Sequence, residues 1–177
     1  MITTVGLAPD VAKVPEPILP STSAMLPSTP PACLGWREWA GLPDLDIRAI
    51  RAKLDTGART SSLHVESIEI ADEAGIQIAR FGVRVRRRAA AVRTCVAPVV
   101  DRRRVTDSGG HRSERWFVRT RLALAGAEYE IDINLTDRGG MLFPLLLGRS
   151  ALDGRFRVDP GVSYSCPRSQ RPVPESA

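Results

Sequence analysis

Four phenylalanines, three tryptophans and two tyrosines are the whole aromatic complement of 177 residues, so aliphatic side chains must supply most of any core. Cysteine is scarce too: Cys33, Cys95 and Cys166 are odd in number and widely spaced. They form neither a disulfide framework nor a CxxC pair, which points to a reducing compartment and a cytoplasmic location. No apolar run reaches the roughly 18 residues of a membrane helix, and the N-terminus lacks the basic start and apolar centre of a secretory signal. With two histidines and no HExxH, the residues themselves give no zinc-peptidase helix. A glycine-rich phosphate loop is also missing, so nothing local asks for ATP.

What the chain has instead is charge and punctuation. The formal charge is +5, and nearly all the basic residues are arginine. Arg86-Arg87-Arg88 and Arg102-Arg103-Arg104 are the clusters. They read as solvated strand faces and hairpin edges, where charge discourages edge-to-edge pairing, or as a surface for an acidic peptide. No nucleic-acid motif and no interleaved aromatics accompany them, so nucleic acid is not an expected partner.

Residues 1–33 carry Pro9, Pro15, Pro17, Pro20, Pro27, Pro30 and Pro31 without helical or strand period, and read as a disordered leader in which Met25 offers an alternative start. The expected domain runs over 34–165, and 166–177 return to Pro, Ser and Arg as a loose tail. Within the domain, Ile50, Ala52 and Leu54 share one face of a strand with Arg51 and Lys53 on the other. Ser67 to Ile70 leads to a turn at Asp72-Glu73-Ala74-Gly75. The return strand changes phase from Ile76 and Ile78 to Phe81, Val83 and Val85, which predicts a bulge or bend near Ala79-Arg80. Pro98, inside the apolar stretch Val92 to Val100, predicts an edge or a break. A second hairpin turns at Asp107-Ser108-Gly109-Gly110 and a third at Ala125-Gly126, whose return strand alternates Tyr129, Ile131, Ile133 and Leu135 with polar residues. Only Ser150 to Gly154 looks helical. Hairpins at this spacing imply an all-β barrel or folded sandwich.

The strand ending at Leu54 runs into Asp55-Thr56-Gly57-Ala58, a turn that can present a carboxylate rigidly. Far downstream stands Phe143-Pro144-Leu145-Leu146-Leu147-Gly148-Arg149-Ser150-Ala151-Leu152. Acidic turn followed by apolar strand and glycine is the order of a retropepsin. Gly35-Trp36-Arg37-Glu38-Trp39, Lys53 through His64, Asp107-Ser108-Gly109-Gly110, Leu147-Gly148-Arg149 and Phe156-Arg157-Val158-Asp159 extend the match. Over residues 34–165 the chain resembles the bacterial retropepsin-like family labelled "ATP-dependent zinc protease". The resemblance implies a retropepsin-like closed barrel and an aspartic endopeptidase with Asp55 as catalytic acid and base. Because the chain has one Asp-Thr-Gly, it also implies a homodimer. Thr56, Gly57 and Ala58 would shape the loop, Leu146, Leu147 and Gly148 would pack behind it, and Arg59, Gly109, Gly110 and Arg149 would meet substrate. The hairpin at Gly109-Gly110 is the expected flap.

The sequence departs from viral retropepsins where they carry acids: Arg59 follows Asp-Thr-Gly-Ala, and Ser150 follows Gly-Arg. Their supporting ion-pair network must be rewired here. The family label invites zinc, for which His64, Glu66, His111 and Cys95 are the available ligands, but no local spacing gathers them, so no metal or other cofactor is expected. ATP enters by implied association with ATP-grasp peptide ligases, and a glutamate-rich peptide would then suit an arginine-rich cleft. Two other readings remain: a non-catalytic module that binds an acidic peptide or a ligase, and a zinc hydrolase.

Overall fold

The computed structural model describes residues 31–85, 91–106, 110–137 and 142–166. The expected leader up to Pro30, the tail beyond Cys166, Arg86 to Arg88 and Gly109 lie outside them. Ten strands follow the short β1 (Ala32–Gly35): β2 (Arg37–Leu42), β3 (Ile47–Leu54), β4 (Ser61–His64), β5 (Ser67–Glu73), β6 (Ile76–Val83), β7 (Arg93–Thr106), β8 (Arg112–Leu124), β9 (Ala127–Thr136), β10 (Leu145–Leu147) and β11 (Phe156–Asp159). One four-residue helix, α1 (Arg149–Leu152), and a 3-10 turn at Pro43–Leu45 complete the described body. No helix among these residues is long and apolar enough to cross a membrane.

Strands β2, β3, β10, β4, β9 and β8 lie side by side, and β2 pairs back onto β8, so six strands close into a ring. The all-β barrel expected from the hairpin spacing is what forms. Closure depends on the length of β8: its first half pairs with β7, and after β7 has left that edge, Ala123 and Leu124 meet Gly41 and Ala40 of β2. Beyond the ring, β7, β6 and β5 extend the same sheet. Ile50, Leu63, Ile133, Leu145 and Leu147, each 0% exposed, fill the interior, and Phe81 is buried with them.

One expectation about the added strands is corrected and another is narrowed. β5 and β6 pair without interruption from Ser67 opposite Gly82 to Glu73 opposite Ile76, so there is no bulge at Ala79-Arg80. The two-residue turn fixes this register, with Ala74 at φ 54° and Gly75 at φ 83°. Ala79, Phe81 and Val83 therefore turn inward and Ile76 is left 56% exposed. Pro98 does not break β7, and it sits where the strand is paired on the β6 side alone. It occupies the last rung of the β6–β7 ladder, opposite Ile78, beside a register shift between Val99 and Asp101 on the β8 side, where a missing N–H disturbs least.

The chain end is tied to its beginning by a buried carboxylate. Glu38 on β2 has 0% exposure, and its Oε1 accepts from Gly35 N (3.0 Å), Ser165 N (2.7 Å) and Ser165 Oγ (2.7 Å). Beside it the backbone of Val162 and Ser163 passes so closely that a Cβ on Gly35 would lie 2.5 Å from Val162 O. This seam sets β1 parallel to β11. Replacing Glu38 by Ala strands several buried donors, and the unfolding free energy is expected to fall by roughly 3 kcal/mol. Glu73→Ala, which removes only the exposed partner of Arg80, should leave the urea midpoint nearly unchanged. Equal urea midpoints for the two variants would refute this account of the seam.

Candidate active site

Asp55 stands where β3 leaves the barrel. Its amide donates to Leu147 O at 2.8 Å, and Leu54 N donates to Trp36 O at 2.8 Å, so the residue is anchored from both neighbouring strands. The carboxylate is held at each oxygen. Oδ1 accepts from Gly57 N (3.0 Å) and Ala58 N (3.2 Å), while Oδ2 lies 3.1 Å from Lys53 Nζ. Partial burial by itself would raise the Asp55 carboxyl. The Lys53 ammonium and the two loop amides outweigh that burial and hold it below the usual carboxylate range.

The loop is propped from behind by residues that the chain delivers much later. β10 enters between β3 and β4, parallel to the first and antiparallel to the second. Gly148 then passes so near the loop that a Cβ would lie 2.6 Å from Thr60 O, which explains glycine at this position. The backbone amides of Arg149 and Ser150 donate to Ala58 O and Arg59 O at 2.9 and 3.0 Å. The Arg149 guanidinium donates to Thr56 O (2.8 Å) and Gly57 O (3.0 Å). Here is the rewiring that Arg59 and Ser150 demanded: carbonyls of the loop take the place of the missing acids.

In front of Asp55 lies a cleft of about 610 Å³. Asp55, Gly57, Ala58, Arg59 and Leu146 form one side, and Arg103, Arg104, Val105 and Thr106 of β7 form the other. These β7 residues are the arm leading to the Gly109-Gly110 hairpin. Gly110, at φ 82°, is exposed, and Gly109 lies outside the described residues. Leu147 and Gly148 pack behind the loop, but Leu146 faces the cleft, because it is the register partner of Lys53 and shares its face. Arg149 is likewise assigned differently from the expectation: its guanidinium holds the loop, and it does not line the cleft.

Two cleft residues went unnoticed in the sequence. Arg115 is 8% exposed and donates from Nη1 to Asn134 Oδ1 at 3.2 Å. Asn134, 1% exposed, donates in turn to Ser61 O at 2.6 Å, and Ser61 Oγ accepts from Gly148 N at 3.1 Å. A polar chain thus runs from the β8 arm to the prop. The available signal was the outer face of β9, where Glu128, Glu130 and Asp132 give way to an amide at Asn134.

The zinc ligands do not fit together. His64 Nε2 is 3.8 Å from Glu66 Oε1, but that oxygen also accepts from Arg84 at 2.9 Å. Burial pushes the Cys95 thiol up to about 11, and its Sγ donates to Leu45 O. Among the described residues no three His, Cys, Asp or Glu side chains are placed to hold a metal ion.

Comparison with known proteins agrees with this architecture. Residues 33–169 match the RimB-like family, described as retropepsin-like aspartic endopeptidase RimB. A probable alpha-L-glutamate ligase of Desulfotalea psychrophila is 37% identical over 132 residues, covering 73% of this chain and 28% of that protein. One from Shewanella pealeana is 33% identical, covering 74% and 29%. The chain therefore spans less than a third of the length of these curated relatives. A crystal structure of a Legionella pneumophila protein of unknown function aligns with a TM-score of 0.65 and 31% identity, covering 77% of this chain and 98% of that one. An all-β ring, one acidic turn and an apolar prop behind it, together with the match over most of the sequence, place this chain in the RimB-like family of retropepsin-like proteins.

Proposed function

We propose that the protein is an aspartic endopeptidase that acts as a homodimer on acidic, glutamate-rich peptides. The observation that carries this reading is the Asp55 carboxylate, oriented by two amides at the edge of a cleft, on a loop clamped from behind. Peptide hydrolysis by carboxylates needs two of them around one water: the first takes the water's proton and the second donates to the substrate carbonyl. Like charges about 3 Å apart do not both ionise, so such a pair shares a proton. With a single Asp-Thr-Gly per chain, the second carboxylate is Asp55 of a symmetry-related copy. Thr56, exposed at the loop apex, is placed to brace its counterpart, and the β7–β8 hairpin serves as the flap over bound peptide.

Charge points to the substrate. Arg59 and Arg104 line the cleft without an ion pair among the described residues, Arg103 lines it paired with Asp101, and Arg115 adds a fourth guanidinium at its wall. Against these stands one carboxylate, Asp55, already facing Lys53. An acidic side chain entering this space meets several cations, and Asp55 is the one carboxylate lining it among the described residues. The named relatives are glutamate ligases in which the matching region is 28% or 29% of the length, and a partner that makes glutamate peptide bonds would supply such a substrate. The same arginines also favour the reading as a binding module that holds an acidic peptide without cleaving it.

Digestion of polyglutamate-containing peptides distinguishes the two. Asp55→Asn is expected to lower cleavage by roughly 10³-fold or more while the solution mass of the dimer and the thermal midpoint stay near those of the wild type. Undiminished cleavage by that variant would reject the peptidase; binding without any wild-type cleavage would favour the module. Arg104→Gln with Arg59→Gln should raise KM for acidic peptides with little change in kcat, and binding should weaken as salt is raised. Insensitivity of KM to both changes would remove the acidic substrate.

A further inference from the structure

Twenty-three of the 25 basic residues are arginine, and the two lysines are Lys13 and Lys53. A chain that uses arginine almost everywhere else thus has a lysine two residues before its acidic turn. Residues i and i+2 of a strand share a face, so Lys53 and Asp55 are brought together by the backbone itself, with Nζ 3.1 Å from Oδ2. A lysine ammonium is a compact point charge with three rotatable donors.

The surroundings sharpen the assignment. Several arginines among the described residues lie round the pair. Arg37 on β2 is the register partner of Lys53, and its guanidinium lies over the rings of Trp36 and Tyr164. Arg51, two residues earlier on β3, lies over Phe143, and Arg149 from α1 is bound to the loop carbonyls. Round the cleft, Arg103 pairs with Asp101, Arg115 donates to Asn134, and Arg59 and Arg104 face the open space. Among all these cations, Lys53 is the one that touches the Asp55 carboxylate.

We propose that Lys53 is a positioning residue for the reaction: its ammonium clamps Oδ2 of Asp55, so each carboxylate enters the dyad with its own counter-ion. The inference rests on reading Asp55 as half of a dyad. Two amides then fix one oxygen and one ammonium the other, which leaves the carboxylate a single orientation toward the shared water. A bare pair of carboxylates retains its shared proton because ionising both is repulsive. Two ammonium groups at the outer oxygens weaken that repulsion, and the singly protonated, active form is displaced to lower pH.

The sign follows from charge. Lys53→Met keeps the aliphatic stem and removes the cation, so Asp55 should titrate at higher pH, and both limbs of the kcat/KM profile should move up with it. Lys53→Arg restores the charge and should bring the titration back toward the wild type. Asp55 can be followed without any turnover by carbon NMR of aspartate labelled at its side-chain carboxyl, the resonance being assigned by its loss in Asp55→Asn. The exposed pair adds little to stability, so thermal midpoints of the three proteins should agree closely. If Asp55 titrates identically in wild type and Lys53→Met, the Lys53 assignment fails, whether or not peptide is cleaved. A titration that moves in a protein that cleaves nothing upholds the clamp and overturns the peptidase reading; one that moves together with the rate profile upholds both.

Discussion

The amide of Asp55 donates to the carbonyl of Leu147, and most of the site depends on that contact between distant parts of the chain. A catalytic or ligand-binding carboxylate is effective only when its direction is fixed, and a four-residue turn has too few internal bonds to fix it. The barrel supplies the missing constraint by laying β10 between β3 and β4. Gly148 then lets the next stretch touch the turn, and Arg149 collects two of its carbonyls. The apolar residues of β10 serve two faces at once: Leu145 and Leu147 are fully buried in the core, whereas Leu146 lines the cleft.

Arginine does different work in different places. On the outer strands it is matched by acids: Arg119 with Asp132, Arg121 with Asp44 and Glu128, and Arg80 with Glu73. Such exposed pairs contribute little stability, but they keep the long strands β7 and β8 charged on their outer face. Within the Arg102 to Arg104 cluster the roles divide residue by residue. Arg102 pairs with Glu114, Arg103 with Asp101, and Arg104 faces the cleft without an ion pair among the described residues. Strand alternation puts Arg102 and Arg104 on one face of β7 and Arg103 on the other, opposite Arg115.

A ring closed by β2 on β8 encloses its own core, which lets the same domain occur alone or inside a longer chain. The comparisons contain both situations. The Legionella pneumophila protein is matched over 98% of its length, and the ligase-named relatives over 28% or 29%. The prop behind the acidic turn is internal to the barrel.

The sequence by itself determined the elements and the acidic turn. Hairpin turns at Ala74-Gly75 and Ala125-Gly126 and period-two alternation along β3 and β9 were legible because each is a local pattern with one low-energy backbone solution, whereas the pairing of Asp-Thr-Gly with a later Leu-Leu-Gly was legible only through the resemblance to retropepsins. Pattern misled where two faces compete: it placed a bulge or bend near Ala79-Arg80, and the turn-fixed register contains no bulge there. Only the tertiary structure decided that Arg149 holds the loop, that Leu146 faces the cleft, and that Arg115 and Asn134 are buried at its wall. Those roles depend on which strand lies beside which, and strand order across a closed ring is set by contacts between residues far apart in sequence, which no local periodicity encodes.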